Sequence, residues 1–81
     1  MKVKKNIAIS ESGFLFNPSS GDSYSVNPIG QEILKLLKEG REDEQVIAHV
    51  LNNYMIDRIA VEKDLYDFVS MLRTYKLIEN E

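Results

Sequence analysis

The dipeptide Asn27-Pro28 divides this chain into two parts of different periodicity. Ahead of it, in FLFNPSSGDSYSV, apolar and polar residues alternate on either side of a turn. After it, in PIGQEILKLLKEG, the apolar residues recur at helical spacing. Proline at the first position of a helix loses no hydrogen bond that the helix would have made, and an asparagine before it can cap the free amides. Residues 23–26 must therefore end abruptly as a strand, with a helix starting at once and no spacer between them.

The rest of the chain fits around that junction. Ile7 and Ile9 alternate with Ala8 and Ser10, Glu11-Ser12-Gly13 makes a turn, and Phe14-Leu15-Phe16 returns as a second strand. Asn17 to Asp22 carries the proline, serines and glycine of another turn, and Tyr24 and Val26 then alternate with Ser23 and Ser25. The first helix has apolar residues at Ile29, Ile33, Leu36 and Leu37, with Leu34 beside them, and closes at Gly40. The second has an acidic first turn, Glu42-Asp43-Glu44, suited to the positive end of the helix dipole, and a stripe of Val46, Ile47, Val50, Leu51 and Tyr54. The third, from about Ala60 to Lys76, repeats the stripe with Val61, Leu65, Phe68, Val69, Leu72 and Tyr75. The predicted fold is α+β, a three-stranded antiparallel sheet followed by three helices, in one domain over residues 1–81.

Composition narrows the chemistry. With 81 residues the chain can build one modest core but not a core plus an internal active-site cavity. There is no cysteine, so no disulfide, zinc knuckle, iron-sulfur site or thiol nucleophile is available, and the single histidine, His49, has no second imidazole to share a metal with. No P-loop, dinucleotide fingerprint or nucleophile elbow is present, and acid-base work by the abundant carboxylates would need a water-restricted cleft. The expectation is a non-enzyme with no catalytic residue, metal or cofactor. MKVKKNIAIS contains no apolar stretch long enough for a signal peptide or membrane span, which points to the cytoplasm. The net charge of -3 gives no long-range positive field toward nucleic acid or anionic lipid.

FLFNPSSGDSYSVNPIGQEILKLLKEG, then VIAHVLNNY, then VEKDLYDFVSMLRTYKLIE, together resemble the PqqD-like family of RiPP recognition elements over roughly residues 7 to 79. The match consists of a strand ending in Asn-Pro at a helix start, an aliphatic first helix closed by glycine, a second ending in tyrosine, and a third of the form V-x-x-D-L-x-x-F-V-x-x-L. The chain departs from the family at Val26, where leucine is common, near Leu34, where tryptophan is common, and at Lys76, where glycine is. The resemblance implies a winged helix-turn-helix-like fold and a peptide chaperone. Such a protein binds the leader segment of a ribosomally synthesised precursor peptide as an extra strand beside the third strand and against the third helix. It then presents the peptide to a modifying enzyme, often a radical-SAM protein.

The residues supply a mechanism for that implication. The third strand of a meander is an edge, with alternate backbone donors and acceptors open to an extended ligand. Ser23, Tyr24, Ser25 and Val26 form this edge, and the small serines let another backbone approach. Pairing by backbone is tolerant of sequence, so specificity must come from side chains: among Leu65, Phe68, Val69 and Leu72 of the third helix at least one is expected to line the pocket wall and the rest to be core. Asp64 matches a recurrent acidic position of the family, and its place early in the helix equally suits a dipole partner. Tyr24 fits either a half-buried sheet residue or a ligand contact.

Two other classes compete. A winged-helix DNA-binding protein would need cations on the third helix, whose first half instead offers Glu62, Lys63, Asp64 and Asp67. An adaptor for a folded protein partner would not bind free peptide.

Overall fold

The computed structural model describes residues 2–79, in the order β1 (Lys2–Val3), β2 (Ala8–Ile9), β3 (Phe14–Asn17), β4 (Asp22–Ser25), α1 (Pro28–Lys38), α2 (Asp43–Asn53), α3 (Arg58–Thr74) and β5 (Ile78–Glu79). Strands β2, β3 and β4 form an antiparallel sheet in that order, and the three helices follow it, so the α+β architecture is the expected one.

The strand-to-helix junction is built as its residues dictate. Asn27 is extended, at φ -72° and ψ 168°, and its Oδ1 accepts the Gly30 N–H at 2.7 Å while Pro28 starts the helix. The other helices are capped at their starts too. Glu42 and Gln45 form a reciprocal capping box on α2, and Asp57 accepts the Ala60 N–H at 2.8 Å on α3. Because Asp57 is the cap, α3 begins at Arg58, two residues ahead of the predicted start, and it ends at Thr74.

A second, smaller sheet is absent from the sequence expectation. β1 and β5 pair antiparallel, with Lys2 opposite Glu79 and Val3 opposite Ile78, and the Lys4 N–H donates to the Leu77 carbonyl at 2.9 Å. Two-residue strands carry no readable period, and this pair joins segments from opposite ends of the chain. Val3, Leu77 and Ile78 are buried in the core through it. That core is one apolar cluster in which Leu15 of the sheet, Leu34 and Ile33 of α1, Val46 and Val50 of α2, and Val61 and Leu72 of α3 are essentially inaccessible.

The end of α3 is strained. Lys76 sits at φ 58°, in the left-handed region, just beyond the cap residue Tyr75. Gly40 occupies the equivalent place after α1 at φ 84° without penalty. A side chain at such a position costs roughly 1–2 kcal/mol, part of which glycine returns through the entropy of the unfolded chain. The substitution Lys76→Gly is therefore expected to raise stability by about 0.5–1 kcal/mol, measured by urea denaturation. An unchanged or lowered midpoint would mean that Lys76 gains compensating contacts.

Candidate peptide-binding site

The hydrogen-bond register shows which backbone groups the sheet leaves open. The Ser10 N–H donates to the Phe14 carbonyl at 2.8 Å, and the Val26 N–H donates to the Gly13 carbonyl at 2.7 Å. β2 and β3 align Ala8 with Phe16 and Ile9 with Leu15; β3 and β4 align Phe14 with Ser25, Leu15 with Tyr24 and Phe16 with Ser23. Hydrogen-bonded and non-bonded pairs alternate along an antiparallel ladder. Phe14 and Phe16 thus direct their polar groups to β2, whereas Leu15 and the Gly13 carbonyl face β4, the Gly13 N–H donating to the Ser10 carbonyl at 3.1 Å in the turn. It follows that Tyr24 on β4, like the Val26 N–H just beyond it, bonds inward, and that Ser23 and Ser25 turn their N–H and C=O groups to the open edge. Among the described residues no strand lies on that side.

Side chains alternate as well. Tyr24, half-buried, lies on the inner face with Leu15 opposite it, while Ser23 and Ser25 stand on the outer face opposite Phe16 and Phe14. The Tyr24 ring stacks on Tyr75, with centroids 4.5 Å apart and planes tilted by 32°. This pair ties β4 to the C-terminal end of α3, and such contacts are worth about 0.5–1.5 kcal/mol beyond area. Loss of solvent first, then the charge of Asp22 and the neighbouring Tyr75, holds the Tyr24 hydroxyl above the usual tyrosine range, so it stays protonated and able to donate.

Beside the strand, α1 and α3 enclose a cleft of about 270 Å³. Asn27, Ile29, Gly30 and Ile33 form one wall; Asp64, Asp67, Phe68 and Met71 form the other. Gly30 is required there by close approach. A Cβ on it would lie 2.6 Å from the Val26 Cγ1, 3.1 Å from the capping Asn27 Oδ1 and 3.4 Å from the Phe68 ring. The first turn of α1, the residue that follows β4 and the middle of α3 thereby meet at one point, at the end of the strand whose edge is open. Apolar side chains line the cleft together with Asn27 and the exposed Asp64 and Asp67. Asp67 is paired with Lys63 at 2.7 Å, an exposed (i, i+4) pair that raises the lysine's proton affinity, Asp67 contributing more than Asp64.

Of the third-helix residues singled out from sequence, Asp64 and Phe68 line this cleft. Leu65 and Leu72 belong to the core. Val69, half-buried, instead lines a cleft of about 400 Å³ on the other flank of α3, with Ile47 of α2 and Tyr66. Tyr75, expected in the buried stripe, is 47% exposed and lies beyond the last helical residue. Sequence reasoning missed Met71, Ile29 and Gly30. Met71 could have been found as the residue three beyond Phe68 and seven beyond Asp64, which shares their flank of the helix.

His49 Nε2 lies 3.2 Å from a Glu32 carboxylate oxygen and links α1 to α2. Among the described residues no group of His, Asp and Glu is arranged to hold a metal ion, and no helix is long and apolar enough to cross a membrane.

No protein with a curated description matches the chain. Two solved structures resemble it closely. One, TbiB1 in complex with the TbiA(beta) leader peptide, is 28% identical, with a TM-score of 0.84 over 100% of this chain and 98% of that one. The other, lasso peptide synthetase B1 complexed with the leader peptide, has a TM-score of 0.77 over 91% of each chain; at 21% identity it speaks for the fold alone. The model of the family coenzyme PQQ synthesis protein D matches residues 13–78, most of the sheet and all three helices. By that match the chain belongs to the PqqD family.

Proposed function

We propose that this chain binds the leader segment of a ribosomally synthesised precursor peptide as a strand added to β4, and presents it to a modifying enzyme without chemistry of its own. The observation that carries the reading is the open edge at Ser23 and Ser25, on a strand whose next residue, Val26, approaches Gly30 of the cleft that Phe68 and Met71 line. Two N–H and two C=O groups offer four backbone hydrogen bonds, and the cleft receives side chains from the same strand. The likeness to TbiB1, which was solved with a leader peptide, supports the same reading. In this arrangement Ser23 and Ser25 act through their backbone, Tyr24 ties the strand to Tyr75, Val26 packs against Gly30, and Phe68 and Met71 contact apolar side chains. Asp64, beside an Asp67 already paired with Lys63, favours a peptide without acidic residues at the cleft. Leu65 and Leu72 act from the core by holding α3 in place, and Val69 faces away. The enzyme served belongs to the chemistry of precursor-peptide modification, radical-SAM proteins being one class.

The charge on α3 opposes the nucleic-acid alternative. Arg58, at its start, is engaged by Glu44 at 2.7 Å and Glu62 at 3.3 Å, and carboxylates dominate the turns that follow. Binding to a leader peptide is expected on the order of micromolar, roughly -8 kcal/mol, as suits a small edge-plus-pocket interface. Fluorescence anisotropy with labelled synthetic leaders, the TbiA(beta) leader included, and with random duplex DNA at low salt measures both. Salt-sensitive duplex binding with no response to any leader would overturn the reading.

A further inference from the structure

The outer face of the sheet carries two large side chains that the cleft does not use. Phe14 and Phe16 project from β3 and remain 47% and 42% exposed. Every neighbour across the ladders is small: Ala8 and Ser23 flank Phe16, while Ser10 and Ser25 flank Phe14. Two aromatic rings on one face of a short sheet, one strand away from an open edge, form an apolar surface that is continuous with the peptide site.

We propose that Phe14 and Phe16 are a second specificity surface, which receives the side chains that a bound peptide strand turns away from the cleft. The inference rests on the β4 reading above. A strand added beside β4 places the residues aligned with Ser23 and Ser25 on the outer face, whichever direction it runs, and the residue between them on the inner face, toward the cleft. Adjacent strands are about 4.8 Å apart, so the peptide lies roughly 10 Å from β3 with only a serine between. Over a serine there is nothing to stop a phenyl ring and a long apolar or aromatic side chain of the peptide from leaning together. A bulky residue on β4 would block that contact. The site thus reads three successive peptide positions, the middle one by the cleft and its two neighbours by the phenylalanines. The preferred ligand is a segment with apolar residues on both faces of the strand, in place of the one-sided alternation that the cleft alone would select.

The test is a randomised decapeptide display library panned on the wild-type protein and on the Phe14→Thr/Phe16→Thr double variant. Threonine keeps the strand propensity, and circular dichroism verifies the fold. The wild type should enrich apolar residues at three consecutive positions. The double variant should keep the middle preference, lose the outer two, and bind wild-type-selected peptides about tenfold more weakly, the scale of a contact residue at an interface. Phe14→Leu/Phe16→Leu should recover most of the loss. If the threonine variant selects the same pattern with the same affinity while Ser25→Pro abolishes binding, the second surface is refuted and the β4 site stands. If the wild type selects no peptide, or selected peptides bind Ser23→Pro and Ser25→Pro unchanged, the β4 site fails and the second surface with it.

Discussion

Ser25→Pro leaves the protein folded and removes most of its affinity for peptide, whereas Tyr24→Pro breaks the sheet. The two positions are adjacent, and the difference follows from ladder parity alone. The Val26 N–H bonds to Gly13, so the Tyr24 N–H also points to β3, and that of Ser25 points to the open edge. Proline removes one donor and is tolerated only where that donor leaves the ladder unaffected. At Ser25, or at Ser23, the cost to stability is small, but one peptide hydrogen bond is lost at about 1 kcal/mol or more and the ring obstructs close approach of the added strand. At Tyr24 an inner bond is lost and a partner carbonyl is left unpaired, which costs about 1–3 kcal/mol, and the stack on Tyr75 goes as well. Tyr24→Ala separates the ring from the backbone. Thermal melts and binding isotherms of the four variants give the result. Full-strength peptide binding by well-folded Ser23→Pro and Ser25→Pro proteins would remove strand addition from the mechanism, whatever the family.

Truncations along α3 are expected to divide by flank. Leu72→Ala removes a fully buried side chain from the middle of the core and should lower stability by about 2–5 kcal/mol, a large part of the 5–15 kcal/mol typical of a whole domain. Phe68→Ala, at a half-buried residue on the cleft wall, should cost less stability and weaken peptide binding by about tenfold or more. Val69→Ala is the control, because it lines the far cleft and should leave peptide affinity unchanged. Denaturant titrations paired with isotherms at equal folded concentration separate the two effects. Equal affinity for the Phe68 and Val69 variants would mean that the cleft between α1 and α3 takes no part in recognition.

Much of this architecture is legible in local sequence because local chemistry specifies it. Asn27 and Pro28 dictate a cap and a helix start, the alternation of Tyr24 and Val26 with the serines dictates a strand, and the order of elements makes that strand the end of a meander. The existence of an open edge next to the first helix was therefore readable without coordinates. The parity of that edge was not. Alternation reveals which side chains share a face but says nothing of which N–H groups face the neighbour, since that is set by pairing with β3. The single apolar stripe of α3 was ambiguous for a similar reason. Leu65, Phe68, Val69 and Leu72 share helical spacing, and only the packing of α1 against one flank and α2 against the other assigns Phe68 to the cleft between α1 and α3, Val69 to the opposite side and the two leucines to the core. Tyr75 and the β1–β5 pair depended wholly on tertiary structure, because each meets a partner far away in the chain. Periodicity is a property of one segment, and a binding site is made where several segments meet.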